Sequence, residues 1–164
     1  MDAVIEFPVI AAHDLEGRDL VLPEAFVGLR NVVIVAFRRH HQELVDSWIP
    51  WLEEQSRHDA DLRFYELPTI SRIWNPVRSF IDGGMAAAIR TPKILQRTLT
   101  IYGDVRRLTA PLGITDRATI SLFLVDDEGH VHWSGAGPYT EATGRELGQA
   151  LDLNREQSES NDGL

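Results

Sequence analysis

The 164-residue chain contains no cysteine. That absence removes disulfides, thiolate metal sites and iron–sulfur clusters, together with every reaction whose nucleophile is a thiolate. Basic residues are scarce beside acidic ones, 16 against 25, which gives a net charge of −9 and a pI near 5.0. Such a surface repels phosphate backbones, so nucleic acid is not an expected partner. No apolar run approaches the roughly 18 residues of a membrane-spanning helix. Residues Met1 to Glu6 show neither the basic n-region of a signal peptide nor an arginine-rich transit pattern, so a cytoplasmic location is expected. There is no Gly-x-Ser-x-Gly elbow for serine chemistry, and Asp126-Asp127-Glu128-Gly129 falls far short of a calcium loop.

What is present suffices for a packed core: 43% of residues are apolar, with four tryptophans and six phenylalanines. One domain is expected over residues 1–153, with a polar, disordered tail over 154–164. The stretch Phe7 to Pro23 reads as short strands reversing at Glu16-Gly17. Asn31 to Phe37 is a continuous, β-branched apolar run, the pattern of a strand buried on both faces. Residues 41–56 change to helical period, with Leu44, Val45, Trp48, Ile49 and Leu52 on one stripe and a kink expected at Pro50. Leu62 to Glu66 is a strand, and Ile70, Ile73, Trp74, Val77, Phe80 and Ile81 form a second helical stripe closed by Gly83-Gly84. A short extra helix is expected over 85–89. Thr98 to Tyr102 is a third strand, followed by a helix capped by Asp104 and ended by Gly113. Residues 120–125 and 130–133 read as a hairpin, and Thr140 as the N-cap of a last helix carrying Leu147, Ala150 and Leu151.

This order of elements resembles the peroxiredoxin branch of thioredoxin-like folds over roughly residues 20–152. Locally, Arg117-Ala118-Thr119 followed by Leu122 to Asp126, Gly129 and Trp133 is similar to the peroxiredoxin stretch in which an arginine precedes a strand and an Asp-x-x-Gly turn follows it. A nearer resemblance is to the mitochondrial ATP synthase assembly factors that act on the Fo sector. It is carried by Phe37-Arg38, Gln42, Val45-Asp46-Ser47-Trp48, Tyr65-Glu66-Leu67-Pro68, Gly84-Met85, Thr98 through Gly103-Asp104, and Trp133-Ser134-Gly135 with Gly137. The chain departs from that family in showing no mitochondrial import pattern. The resemblance implies an α/β, thioredoxin-like (peroxiredoxin-type) sandwich with a central mixed sheet, expected mostly parallel, flanked by helices. It also implies a redox-inactive binding or assembly role on a protein partner, with a membrane-complex subunit as one such partner, held without catalysis.

Candidate contacts follow from the same layout. Arg38, Arg39, His40, His41 and Gln42 stand after the central strand at a helix start, where ligands of open α/β sheets bind and free N–H groups favour anions. In the resembling families this is the place of the reactive cysteine, and Arg117 is expected close by. Trp51 lies three residues beyond Trp48, about 300° around the helix, at the edge of the apolar stripe, and is a candidate interface anchor. Three readings stay open: a partner-binding assembly protein, a non-thiol enzyme or small-anion binder using loop 38–43 with Arg117, and a homodimeric structural domain. No catalytic residue is assigned and no cofactor is expected. A metal site is not expected either, since His40-His41 and His130 with His132 fall on separate parts of the fold. Peroxide with a thiol reductant should give no turnover above the protein-free rate in a coupled peroxidase assay; measurable turnover would overturn the thiol-free reading.

Overall fold

The computed structural model describes residues 5–70, 97–103 and 105–162. The fold is organised by strand β4 (Arg30–Ala36), every residue of which is buried. It lies between β5 (Leu62–Ile70), parallel to it, and β7 (Ser121–Asp126), antiparallel to it. Because side chains alternate across a strand, β4 feeds two cores. Val33 and Val35 join Tyr65, Leu67 and Phe123 on one face, while Val32, Ile34 and Ala36 join Phe64, Leu122 and Leu124 on the other. The unbroken apolar run in the sequence is the sum of these two faces.

Among the described residues the sheet has eight strands in the order β1-β8-β7-β4-β5-β6-β2-β3. The outer members are β1 (Ile5–Glu6), β2 (Ile10–Asp14), β3 (Asp19–Leu22), β6 (Leu99–Tyr102) and β8 (His130–Ala136). The sheet is mixed, but the expectation that it is mostly parallel is corrected: among the described residues β4–β5 and β5–β6 are the parallel strand pairs, against five antiparallel ones. The β2–β3 and β7–β8 hairpins, closed by Gly17 and Gly129 at positive φ, force antiparallel pairing at both flanks.

The helical stretch over 41–56 is broken rather than kinked. A 3-10 turn (Arg39–His41) leads into α1 (Gln42–Asp46), and α2 (Ile49–His58) starts afresh with Pro50 in its first turn. There the missing proline N–H costs nothing, because first-turn donors have no intrahelical partner. The break is used: Trp48 Nε1 donates to the Gly137 carbonyl at 3.0 Å, and Ser47 Oγ accepts the Tyr139 N–H at 2.9 Å. Helix α3 (Arg106–Leu112) ends at Gly113 in the left-handed region and covers the first core with Leu108 and Leu112. Asp104, expected to cap it, lies outside the described residues. So does the helical stripe after Ile70, which itself closes β5, and so does the helix expected over 85–89.

Thr140 does cap the last helix, α4 (Glu141–Asp162), its Oγ1 accepting the Thr143 N–H at 3.1 Å. The disordered tail expected from residue 154 is corrected: α4 continues to Asp162. Leu147, Leu151 and Asn154 keep the helical spacing and are all buried, so the inward stripe passes through a polar residue without stopping. Arg155 then reaches Asp59 at 2.9 Å, where Arg30 is already bound in a two-bond fork at 2.9 and 3.0 Å. The side chains of Arg30 and Asp59 are only 6% and 5% exposed, so this pair is desolvated, while Arg155 approaches it from a position 31% exposed.

Burial alone would raise the Asp59 carboxyl, but hydrogen bonds from Arg30, Arg155 and the Asp61 amide outweigh it and hold it at about 2, below the ordinary 3.8. The stabilisation is therefore complete above pH 3.8 and lost as the pH falls through about 2. Asp59→Ala, which removes both fork bonds and leaves Arg30 only the more distant Asp61 at 3.6 Å, should cost about 3 kcal/mol in urea unfolding at pH 7. Arg155→Ala should cost clearly less, since Arg30 keeps its partner.

Candidate functional site

The sheet end after β4 is where the candidate residues gather, and the structure sorts them. Arg38, Arg39, His40 and Gln42 are exposed, whereas His41 is fully buried. The His41 ring closes the turn on itself: Nδ1 accepts the Phe37 N–H at 3.1 Å, four residues back. An accepting Nδ1 carries no proton, so Nε2 carries it and donates to the Ala118 carbonyl at 3.2 Å. Burial lowers the His41 pKa below 6.5, the Ala118 carbonyl opposing and the charges of nearby His40 and Arg38 adding to the fall. His41 is thus a neutral, two-sided lock between the turn after β4 and the loop before β7. Its expected place among surface contacts is corrected, and it has no free nitrogen with which to act as an acid or base.

The lock brings Arg117 to the same end of the sheet as the 38–42 turn, since Arg117 precedes Ala118. Its guanidinium is exposed and reaches Thr109 Oγ1 on α3 at 3.4 Å. The end therefore presents Arg38, Arg39 and Arg117 around a buried imidazole, with Asp116 also in the field of His41. Trp51 does not belong to this surface. It is half-buried, with its ring centroid 5.9 Å from Trp48 and 6.3 Å from Tyr139, an aromatic packing role at the margin of the second core.

Sequence reasoning passed over Glu66. It occupies the inward phase of β5 set by Leu62 and Phe64, facing α1 and α2, and the break in apolar alternation was the available signal. Burial raises its carboxyl to about 7 from 4.5; the Asp46 charge adds, while a Gln42 hydrogen bond and Arg97 oppose. Gln42 is also tied to Asp46 at 2.9 Å, so the exposed candidate Gln42 links two carboxyl groups. A carboxyl near neutrality in a protein interior can take up or release a proton under ordinary conditions.

The second histidine pair lies at the opposite end of the sheet, because the register sets Asp126 beside Arg30. There His132 Nε2 meets Asp126 Oδ2 at 2.7 Å and His130 Nδ1 meets it at 3.5 Å. Asp126 Oδ1 accepts the N–H groups of Glu128 and His130, which shapes the hairpin turn. Among the described residues, no three His, Asp or Glu side chains are arranged to hold a metal ion.

No protein-family model and no curated protein sequence matches the chain. Solved structures do. A thioredoxin-family thiol:disulfide interchange protein from Chlorobium tepidum superposes with a TM-score of 0.56 at 13% identity, over 92% of this chain and 99% of that one. The thioredoxin domain of a thiol-disulfide oxidoreductase from Bacteroides vulgatus gives 0.55 at 15%, over 92% and 99%. A member of the Sco family of cytochrome c oxidase assembly proteins gives 0.58 at 10%, over 94% and 98%. The chain has a thioredoxin-like fold, with a mixed sheet flanked by helices, and no cysteine anywhere in it.

His41→Phe fills the space but loses both hydrogen bonds, leaving the Phe37 N–H and the Ala118 carbonyl unpaired, and should cost about 1–3 kcal/mol. Since the folded His41 pKa is depressed, its contribution is present above pH 6.5 and is lost as the pH falls through the lower folded value. Urea unfolding between pH 7.5 and 5 should show a wild-type decline that is shallower in the variant.

Proposed function

We propose that this protein is a redox-inactive, thioredoxin-like binding protein that holds a partner polypeptide at its sheet end, in the manner of an assembly or chaperone-like factor. The observation that carries this reading is the His41 lock. A side chain stands after the central strand, but it is buried, neutral and committed at both nitrogens, so the position supports geometry rather than chemistry. Around it, Arg38, Arg39 and Arg117 form an exposed, cationic rim beside His40, on a protein whose net charge is −9. A local charge of the sign opposite to the whole favours one docking orientation for an acidic or carboxylate-bearing segment.

The resemblance to Fo-sector assembly factors suggests a membrane-complex subunit as that partner. That a structural neighbour belongs to a family of cytochrome c oxidase assembly proteins supports the compatibility of this fold with such work. Among the described residues no helix is long and apolar enough to cross a membrane, so contact with a membrane complex would be made from its surface. A small-anion site using Arg38, Arg39 and Arg117 is the second reading, favoured by the same rim; the His41 lock argues against acid–base catalysis there.

The test places a photo-cross-linking residue at position 40 in the full chain, in cells with membranes retained, and identifies products by mass spectrometry. The expected result is a discrete cross-linked polypeptide that disappears in the Arg38→Glu, Arg117→Glu double variant. Self-cross-links alone, or products indifferent to the two charge reversals, would overturn the reading. Phosphate-dependent thermal stabilisation lost in the same variant would move the assignment to a small anion.

A further inference from the structure

The sheet-end rim is built in two halves that are anchored differently. Arg117 belongs to the loop before β7, which has fastenings of its own. Its guanidinium reaches Thr109 Oγ1 on α3 at 3.4 Å, and Asp116 Oδ1 accepts the Ala118 N–H at 2.8 Å. Arg38 and Arg39 belong to the other half, between the end of β4 and α1. Among the described residues the ladders of β4 end with Val35 opposite Ser121 and Ala36 opposite Pro68. Phe37 therefore begins a stretch that lies past both ladders. That stretch closes on itself: the His41 N–H donates to the Arg38 carbonyl at 3.0 Å, and His41 Nδ1 accepts the Phe37 N–H at 3.1 Å. The bond from His41 Nε2 to the Ala118 carbonyl at 3.2 Å joins this half of the rim to the half that carries Arg117.

This fastening fits one protonation state. With one proton already on Nε2, a second can enter only at Nδ1, where it sets a ring N–H against the Phe37 N–H, donor against donor. The new charge would also arise on a side chain with no exposed surface. Among the described residues, the charged and titratable groups whose field reaches the ring are Arg38 and His40 on its own turn and Asp116 on the facing loop. Arg38 and His40 disfavour the charged ring and Asp116 favours it, so a protonated ring is drawn to the Ala118 side and away from Phe37. Arg39, Glu43 on α1 and Arg117 are exposed, where water and salt screen them.

We propose that His41 is a proton-operated latch on the sheet end, whose protonation frees the 37–41 turn and parts Arg38 and Arg39 from Arg117. Resting on the reading that this rim holds a partner, the latch supplies the regulation of that site: a partner docked at neutral pH is released in acid. The direction follows from burial, which depresses the His41 pKa below 6.5. The closed latch is favoured above pH 6.5 and lost as the pH falls through the lower folded value. Because the turn lies past the ladders, the opening is local and leaves β4 in place.

The test is amide hydrogen exchange followed by NMR on the full chain, expressed as protection factors so that the intrinsic pH dependence of exchange cancels. The Phe37 amide should lose protection about ten-fold or more between pH 7.5 and 5, the scale of one lost hydrogen bond, while Val33 in the middle of β4 keeps its own. The midpoint of that loss should coincide with the titration of the His41 ring followed by 15N NMR. His41→Gln, whose carboxamide offers an acceptor and a donor but takes up no proton in this range, should abolish the pH dependence. Unchanged Phe37 protection, a midpoint apart from that of the ring, an equal loss at Val33, or a pH dependence that survives in His41→Gln would overturn the latch. A second arm repeats the cross-linking from position 40 at pH 7.5 and 5 in a lysate with membranes retained. The product should form at pH 7.5 and fall about ten-fold at pH 5, in step with the lost Phe37 bond. Equal product at both pH values would overturn the latch and leave the sheet-end reading standing. No product at pH 7.5 would overturn the sheet-end reading and the release with it, while the Phe37 amide still decides whether the turn opens.

Discussion

Arg30 begins the central strand inside the protein, and its charge has to be answered where it stands. Asp59 answers it from the turn between α2 and β5, and Arg155 reaches the same carboxylate from α4. One anion thus joins the start of β4, the connection to its parallel neighbour and the far end of the final helix. Breaking the Arg30–Asp59 pair is expensive because both of its side chains are withdrawn from water. At the other end of β4 the fastening is of a different kind, a neutral imidazole held by two main-chain groups. The central strand is therefore fixed at one end by charge and at the other by hydrogen bonding without charge, and the two cores are packed between these points.

Much of this was legible in the residues. The β4 run, the β2–β3 and β7–β8 turns, the Thr140 cap and the break near Pro50 all rest on local rules: β-branched continuity, glycine at positive φ, side-chain capping and the missing proline donor. What escaped was set by partners distant in sequence. Arg155 and Asn154 read as polar tail because nothing local shows Asp59 waiting 96 residues earlier. His41 read as a surface contact because a histidine beside two arginines looks exposed; its burial depends on Ala118, 77 residues on. Glu66 sat within a motif of the resemblance and still went unassigned, because its environment is made by α1 and not by its neighbours in β5. The balance of parallel and antiparallel pairs was misjudged because five of the seven neighbouring pairs among the described residues involve a strand of the β2–β3 or β7–β8 hairpin, and all five are antiparallel.

The fold that hosts thiol exchange in its structural neighbours is here complete without a thiol. A scaffold of this kind offers a defined loop at a sheet end, and without a reactive group that loop still needs support. His41 supplies that support. On the function proposed above, the rim of arginines is a recognition surface that serves no redox cycle, and fold and function are separate questions.

The aromatic packing at the helix break has an optical consequence. Trp48 is fully buried, bonded through its indole nitrogen, and set nearly edge-on to both Trp51 and Tyr139, at 81° and 89°. Rings this close and this rigidly inclined couple their electronic transitions, and a chiral arrangement of coupled transitions gives circular dichroism in the ultraviolet. Since Trp48 lies in the α1–α2 break, Trp51 in α2 and Tyr139 just before α4, that signal is a built-in gauge of whether the helix break and the start of α4 have met.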